Sequence, residues 1–342
     1  MLQLRNQTPF DAAVTVFPDE TGADAVWVAV KATFTLSDRL QIAEAQVPPT
    51  GADTFWETPG ESSLRYASDM HPSKPGTDVV LVGHAWPPPG RQADHLDVSV
   101  CVGERRSTVR AFGDREWRGG LRSPSPSAPV PFDSMPLVYE RAFGGVAPAD
   151  DAGGTRAEER NPVGVGFLGD RRRGELRGER LPNLEHPAHL IRSPGDRVPP
   201  AGFGFIAPAW LPRRSYAGTY DAAWLRTRAP FLPVDFDARF FHAAHPDLVF
   251  PTPLRGDEPV EVLHASRRGP LGFRLPGCLV RVTARIAGRA EDARSQLETV
   301  LIEPDLERLC LLWRAKIPCD KAALRVDSIA LDLAEMDRVA RA

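Results

Sequence analysis

Lysine is scarce in this chain of 342 residues: of 42 basic side chains only Lys31, Lys74, Lys316 and Lys321 are lysine, and the remaining 38 are arginine. Its cations are therefore mostly planar forks suited to bidentate pairing with carboxylates. An excess of either charge is also lacking, since 42 basic residues meet 45 acidic ones for a net charge of −3. Nucleic acid and anionic membrane surfaces are thereby poor partners. Cysteine is limited to Cys101, Cys278, Cys310 and Cys319 with no C-x-x-C pair, which fits neither a disulfide framework nor a zinc ribbon and leads us to expect a reducing compartment. Long apolar runs are missing: AVWVAV at 25–30 falls far short of the roughly 20 residues a membrane helix needs. The first ten residues, MLQLRNQTPF, lack a charged segment followed by an apolar one. The expectation is a cytoplasmic protein with no membrane insertion. No G-x-x-x-x-G-K-[ST] loop, G-x-S-x-G elbow or H-E-x-x-H helix is present.

What is present reads as globular, with 42% hydrophobic and 25% charged residues. Strand patterns dominate both ends. Val26, Val28, Val30, Ala32, Phe34 and Leu36 alternate with Trp27, Ala29, Lys31, Thr33 and Thr35, a period of two that places one apolar face on a core. Residues 95–102 and 108–112 read as a hairpin turning at Gly103-Glu104, and TDVVLVGHAW at 77–86 as a buried strand. Val280 to Ile286 alternates again, LETVLI at 297–302 and RLCLLWRA at 308–315 follow at hairpin spacing, and the tail from about Leu324 could open as a strand and finish as a short helix.

The middle differs. Between residues 124 and 276 lie 22 of the 34 prolines, a density that argues against long helices and central strands. Aromatics recur there, from Phe132 and Tyr139 to Phe240 and Phe241, which disordered segments rarely carry. A short helical pattern spans Asp221 to Arg228. We read the whole as one large domain: an N-terminal β part (1–113), a loop-rich middle (114–276) and a C-terminal β part (277–342). The expected fold class is mainly β, a β-sandwich or barrel-like framework with a large irregular Pro/Gly-rich loop region and few short helices.

Several patterns invite a chemical reading. Gly164, Gly166 and Gly169, and then Gly202, Gly204 and Ala207, match dinucleotide fingerprints, but prolines stand where the flanking strand and helix should be; turn glycines are the better account. His186 with His189 and His242 with His245 form two H-x-x-H pairs that could hold zinc, although Pro187 and Pro246 break any helix carrying them. Glu158-Glu159, Asp235 with Asp237, and Asp257-Glu258 resemble acid–base pairs of a glycosidase. Each has an arginine within three residues, Arg160, Arg239 and Arg255, which lowers a carboxyl pKa where a general acid needs a raised one, so buried ion pairs bracing loops are expected instead. Asp114-Arg115 and Glu140-Arg141 are read as locks of the same kind. The basic run DRRRGELRGER at 170–180 holds five arginines against three acids and no aromatic, a solvated loop rather than a nucleic-acid site. No catalytic residue, cofactor or metal is expected.

The ordered blocks NQTPF (6–10), VKATF (30–34), SSLRYASD (62–69), KPGTDVVLVGHA (74–85), FGDREW (112–117), MPLVYERAFGG (135–145), RNPVGVGF (160–167), LPNLE (181–185), GTYDAAW (218–224), LPVDFDARFF (232–241), LRGDE (254–258) and LLWRAKIPC (311–319) resemble the domain-of-unknown-function 2169 family. His186 and His242, directly after the LPNLE and ARFF blocks, look like departures from its pattern. The resemblance implies a non-catalytic adaptor or chaperone of the bacterial type VI secretion system, one that binds a PAAR-containing effector and helps load it onto the VgrG spike. On that reading the partner surface lies in the middle region, with Trp210, Arg213, Tyr216, Tyr220, Trp224 and Arg239 as candidates, aromatic and arginine side chains being typical of interface hot spots. An unrecognised hydrolase or small-ligand-binding protein using the Asp/Arg-rich loops, or a structural component of the spike, are the alternatives.

Overall fold

The opening strands are β1 (Gln3–Asn6), β2 (Asp11–Pro18), β3 (Asp24–Leu36) and β4 (Leu40–Ile42). The computed structural model describes residues 2–19, 21–37, 39–119, 124–149, 154–169, 176–319 and 325–336. Branched and aromatic side chains at alternate positions make β3 a good strand, but its two faces are both covered: nearly every residue from Ala25 to Phe34 is buried. Its polar members do not face water as the alternation suggested. Lys31 is taken up by Asp69, while the Thr33 N–H donates to the Gln46 side chain at 2.8 Å.

Seven further strands carry the framework's first half and middle: β5 (Thr77–Leu81), β6 (His95–Val102), β7 (Arg105–Phe112), β8 (Leu184–Glu185), β9 (Val249–Phe250), β10 (Pro259–Leu263) and β11 (Leu271–Arg274). The C-terminal part supplies β12 (Leu279–Ile286), β13 (Arg289–Glu303), β14 (Arg308–Pro318) and β15 (Val326–Glu335). The large sheet runs β1-β15-β12-β13-β14-β3-β2, with β5 attached in parallel to β13 and β9 beyond it. It curls into a half-barrel, so the molecule is mainly β as the composition of its strands implied. A second sheet runs β8-β7-β6-β10-β11.

Two expectations change here. β10 and β11 belong to the proline-rich middle, yet β10 is an internal strand; Pro259 is tolerated because it stands at its first residue, where no ladder donor is lost. The tail forms β15 as a strand, and residues 337–342, where a helix was one option, lie outside those described. Elsewhere the middle holds two- and three-residue strands, 3-10 turns and one helix, α1 (Ala222–Thr227), capped by the Asp221 carboxylate accepting from the Trp224 N–H at 2.8 Å.

The strand β13 changes partners along its length. Residues 289–294 pair with β12, whereas 299–302 pair with β5, and β14 follows the other edge from Ser295 to Glu303. Between Leu297 and Thr299 the register slips, leaving Glu298 as the extra residue of a bulge. Bulges re-aim side chains; this one turns a carboxylate into the core. A satellite cluster of Trp117, Phe143, Leu168, Leu176, Leu181, Ile191 and Val198 gives the irregular middle a core of its own.

Candidate functional site

Buried charge is concentrated where β3, β5, β13 and β14 meet. Glu298 accepts from Arg314 Nε at 2.7 Å and from Ser73 Oγ, and both Glu298 and Arg314 are almost wholly enclosed. Arg314 Nη1 is buried with no partner among the described residues. Lys74 Nζ donates to Asp78 at 2.7 Å and to Thr299 Oγ1 at 3.1 Å, and Lys31 reaches Asp69 at 2.8 Å. Asp78 also meets His242 Nδ1 at 2.6 Å and the Ala243 N–H at 2.8 Å. Burial alone would raise the Asp78 carboxyl, but the Lys74 charge and the His242 contact outweigh it and hold the group well below the usual carboxylate range.

The Asp78–His242 pair matches the orienting half of a nucleophile-activating triad. Among the described residues no hydroxyl or thiol is hydrogen-bonded to His242. Every acid of this cluster is engaged by a cation, which is the arrangement of a lock rather than of a proton-transfer pair. Beside it lies a cleft of about 260 Å³ lined in part by Asp69, His71, Lys74 and Arg213. Burial, with the charges of Arg314 and Lys74, pushes the His71 imidazole well below its ordinary value, and its ring stacks on Phe241 at 5.3 Å.

Of the six candidate interface residues, two are interior. Trp210 is 6% exposed and meets Tyr139 edge-on, and Arg213 is 8% exposed, donating to the carbonyls of Ile206 at 2.6 Å and Phe240 at 2.9 Å. These two brace the loops instead of presenting a surface. Tyr216, Tyr220, Trp224 and Arg239 belong to a different object. The Asp237 N–H donates to the Tyr216 carbonyl at 3.0 Å, and the Asp235 carboxylate accepts from the Thr219 N–H at 3.0 Å and its hydroxyl at 2.7 Å. The intervening segment is thus a large loop closed at its base, with α1 inside it. Gly218 is required at the closure: its φ is +78°, and a Cβ there would sit 3.0 Å from Asp235 and Pro233.

Within the loop Trp224 Nε1 donates to the Phe231 carbonyl at 2.9 Å and Tyr220 packs edge-on against Trp224 at 4.8 Å. The Arg239 guanidinium lies 4.4 Å from the Tyr216 ring and pairs with Asp237 at 2.6 Å. Apolar side chains crowd its outer surface: Tyr220 is 53% exposed, Leu225 66% and Val234 89%. No residue of α1 is buried.

The other motifs resolve as follows. Glu158 with Arg160 (2.6 Å) and Asp257 with Arg255 (3.1 Å) pair as their spacing implied, but these contacts are half-buried or exposed; the deeply buried pairs join residues remote in sequence. Asp235 closes the loop rather than pairing with Arg239. Arg115 binds Glu185 and not Asp114, and Glu140 accepts from the Ser63 N–H at 2.6 Å and hydroxyl at 2.8 Å, so neither adjacent acid–arginine pair forms and both residues brace other segments instead. The first glycine fingerprint contains only the two-residue strand Val165–Gly166; the second runs through irregular buried chain beside Tyr139. Only the second histidine pair is separated: His242 joins Asp78, while His245 lines a cavity of about 430 Å³ beside β7 together with His186 and His189, whose rings lie 5.2 Å apart. No group of three metal-capable side chains forms among the described residues. The basic run cannot be placed, because 170–175 lie outside them. The cysteines form no disulfide among the described residues, and no described helix is long and apolar enough to cross a membrane.

The chain is thus a mainly β framework, locked by buried ion pairs and carrying a closed loop that shows apolar side chains to solvent. The family model described as "Uncharacterized protein conserved in bacteria (DUF2169)" matches residues 21–314, and the chain belongs to that family. No curated protein and no solved structure shows a significant match.

Proposed function

We propose that this protein is a type VI secretion adaptor that binds and stabilises a PAAR-containing effector and helps load it onto the VgrG spike. The motif blocks supply the secretion setting, through the family they resemble. The observation that carries the reading is the closed loop between Tyr216 and Asp237, where Tyr220, Leu225 and Val234 stand in solvent on a segment closed at its base and tied by Trp224 to Phe231. Such a loop meets a partner with little ordering cost, and its tyrosine and tryptophan are residues that dominate interface energies. A core braced by buried ion pairs suits a protein that keeps its shape while holding an unstable cargo.

Co-expression with the PAAR-containing protein encoded beside it, followed by affinity pull-down and size-exclusion chromatography, tests the reading. A stable complex with a raised soluble yield of the effector is expected. Tyr220→Asp combined with Leu225→Asp should abolish the complex while leaving the unfolding temperature near that of the wild type. Failure to form a complex with any neighbouring effector or spike protein would refute it.

A further inference from the structure

The edge strand region of the second sheet is only partly covered. In the β6–β7 hairpin Arg105 lies opposite Val102 across a two-residue turn, and antiparallel alternation then directs the main-chain groups of Arg105, Ser107, Val109 and Ala111 toward β6. Those of Arg106, Thr108, Arg110 and Phe112 point away. Arg110 is met by Glu185 of β8, and the Phe112 N–H donates to the Asn183 carbonyl at 2.7 Å. Two places further along the same register, Thr108 falls opposite Pro187, which has no N–H to offer. The chain leaves the sheet there through a turn in which the His189 N–H donates to the His186 carbonyl at 2.8 Å. Among the described residues no chain segment pairs with the outward main-chain groups of Arg106 and Thr108.

In front of this gap lies the cavity of about 430 Å³, with Thr108 on one wall and Ala201, Ile206, Leu211 and Pro212 among the others. Its ionisable lining comprises Arg160, His186, His189, His245 and Asp247. Arg160 is held by Glu158 at 2.6 Å. Burial pushes the His245 imidazole below its ordinary value, and its Nε2 contacts the Pro200 carbonyl at 3.2 Å. With Ala201, Ile206, Leu211 and Pro212 in the wall, burying an apolar side chain here is favoured. The open edge in turn calls for main-chain donors and acceptors.

We propose that an extended peptide segment of a partner protein adds to β7 beside Arg106 and Thr108 as a further strand, seating a large apolar side chain in the adjoining cavity. This is strand addition at a sheet edge, where main-chain bonds give affinity and the pocket gives selectivity. Only the owner of the peptide, the secreted effector, rests on the adaptor reading.

The test pans a phage-displayed random peptide library on the full chain and measures a fluorescein-labelled selected peptide by anisotropy. Thr108→Pro removes an N–H that faces away from β6, at an edge position where proline is tolerated. It should keep the fold and weaken the peptide by at least about tenfold, roughly 1.4 kcal/mol. Leu211→Glu should do the same through the cavity, and hydrogen exchange at the Arg106 and Thr108 amides should slow when peptide is bound. No enriched peptide, binding indifferent to both variants, or unchanged exchange at those amides would each overturn the proposal. Should Thr108→Pro not fold, Leu211→Glu and the exchange of the wild type decide. Peptides that bind at the edge while co-expression yields no effector complex would remove the adaptor reading and leave the edge site standing.

Discussion

Arg314 and Glu298 bury a full pair of opposite charges behind a bulge, and removing one member strands the other. Glu298→Ala or Arg314→Ala should each cost about 3–5 kcal/mol, whereas replacing both with methionine should recover most of that loss. Urea unfolding of the three variants measures this; a double-variant loss equal to the sum of the two single losses would show that the pair is not coupled. The pair was not legible in the sequence. Glu298 stands in LETVLI and Arg314 in LLWRAK, where each looks like the polar side of a hairpin strand, and the bulge that turns Glu298 inward leaves no local mark. Arginines next to acids, such as Arg115 beside Asp114, were visible, but proximity along the chain named the wrong partner: Arg115 binds Glu185.

At the level of elements the alternating strands were readable, because a period of two survives whatever packs on them. What packs on them was not: β3 looked half-exposed, and its second face is covered by segments that hold Asp69 and Gln46. The closed loop was partly readable, as an aromatic-rich segment with a short helical pattern, while its closure depends on Asp235 meeting Thr219 sixteen residues away. Asp235→Ala removes the acceptor for two donors at the base of the loop. Limited proteolysis should then cut between Tyr220 and Val234 faster than in the wild type, with the unfolding temperature little changed because the loop contributes no residue to the main core. Unaltered proteolysis would mean that the loop is held by its internal contacts alone.

Across the whole molecule the buried titratable groups set how stability responds to acid. An unfolded imidazole takes up its proton near pH 6.5, while His71 and His245 in the fold are held neutral to lower pH. Below about pH 6.5 the unfolded chain therefore binds more protons, and stability falls as pH decreases. Asp78 acts lower down: the fold keeps it ionised well below its ordinary 3.8, so its contribution is present above that value and is lost as pH drops beneath it. Buried Glu185, raised by burial despite Arg115, works in the opposite sense near its own titration. Unfolding midpoints from pH 8 to 3 should thus decline in two stages, one beginning near 6.5 and a steeper one near 4. His71→Phe keeps a ring against Phe241 but carries no proton, so it should flatten the upper stage and leave the lower one in place. A midpoint constant between pH 7 and 5 in the wild type would show that neither histidine is held neutral by the fold.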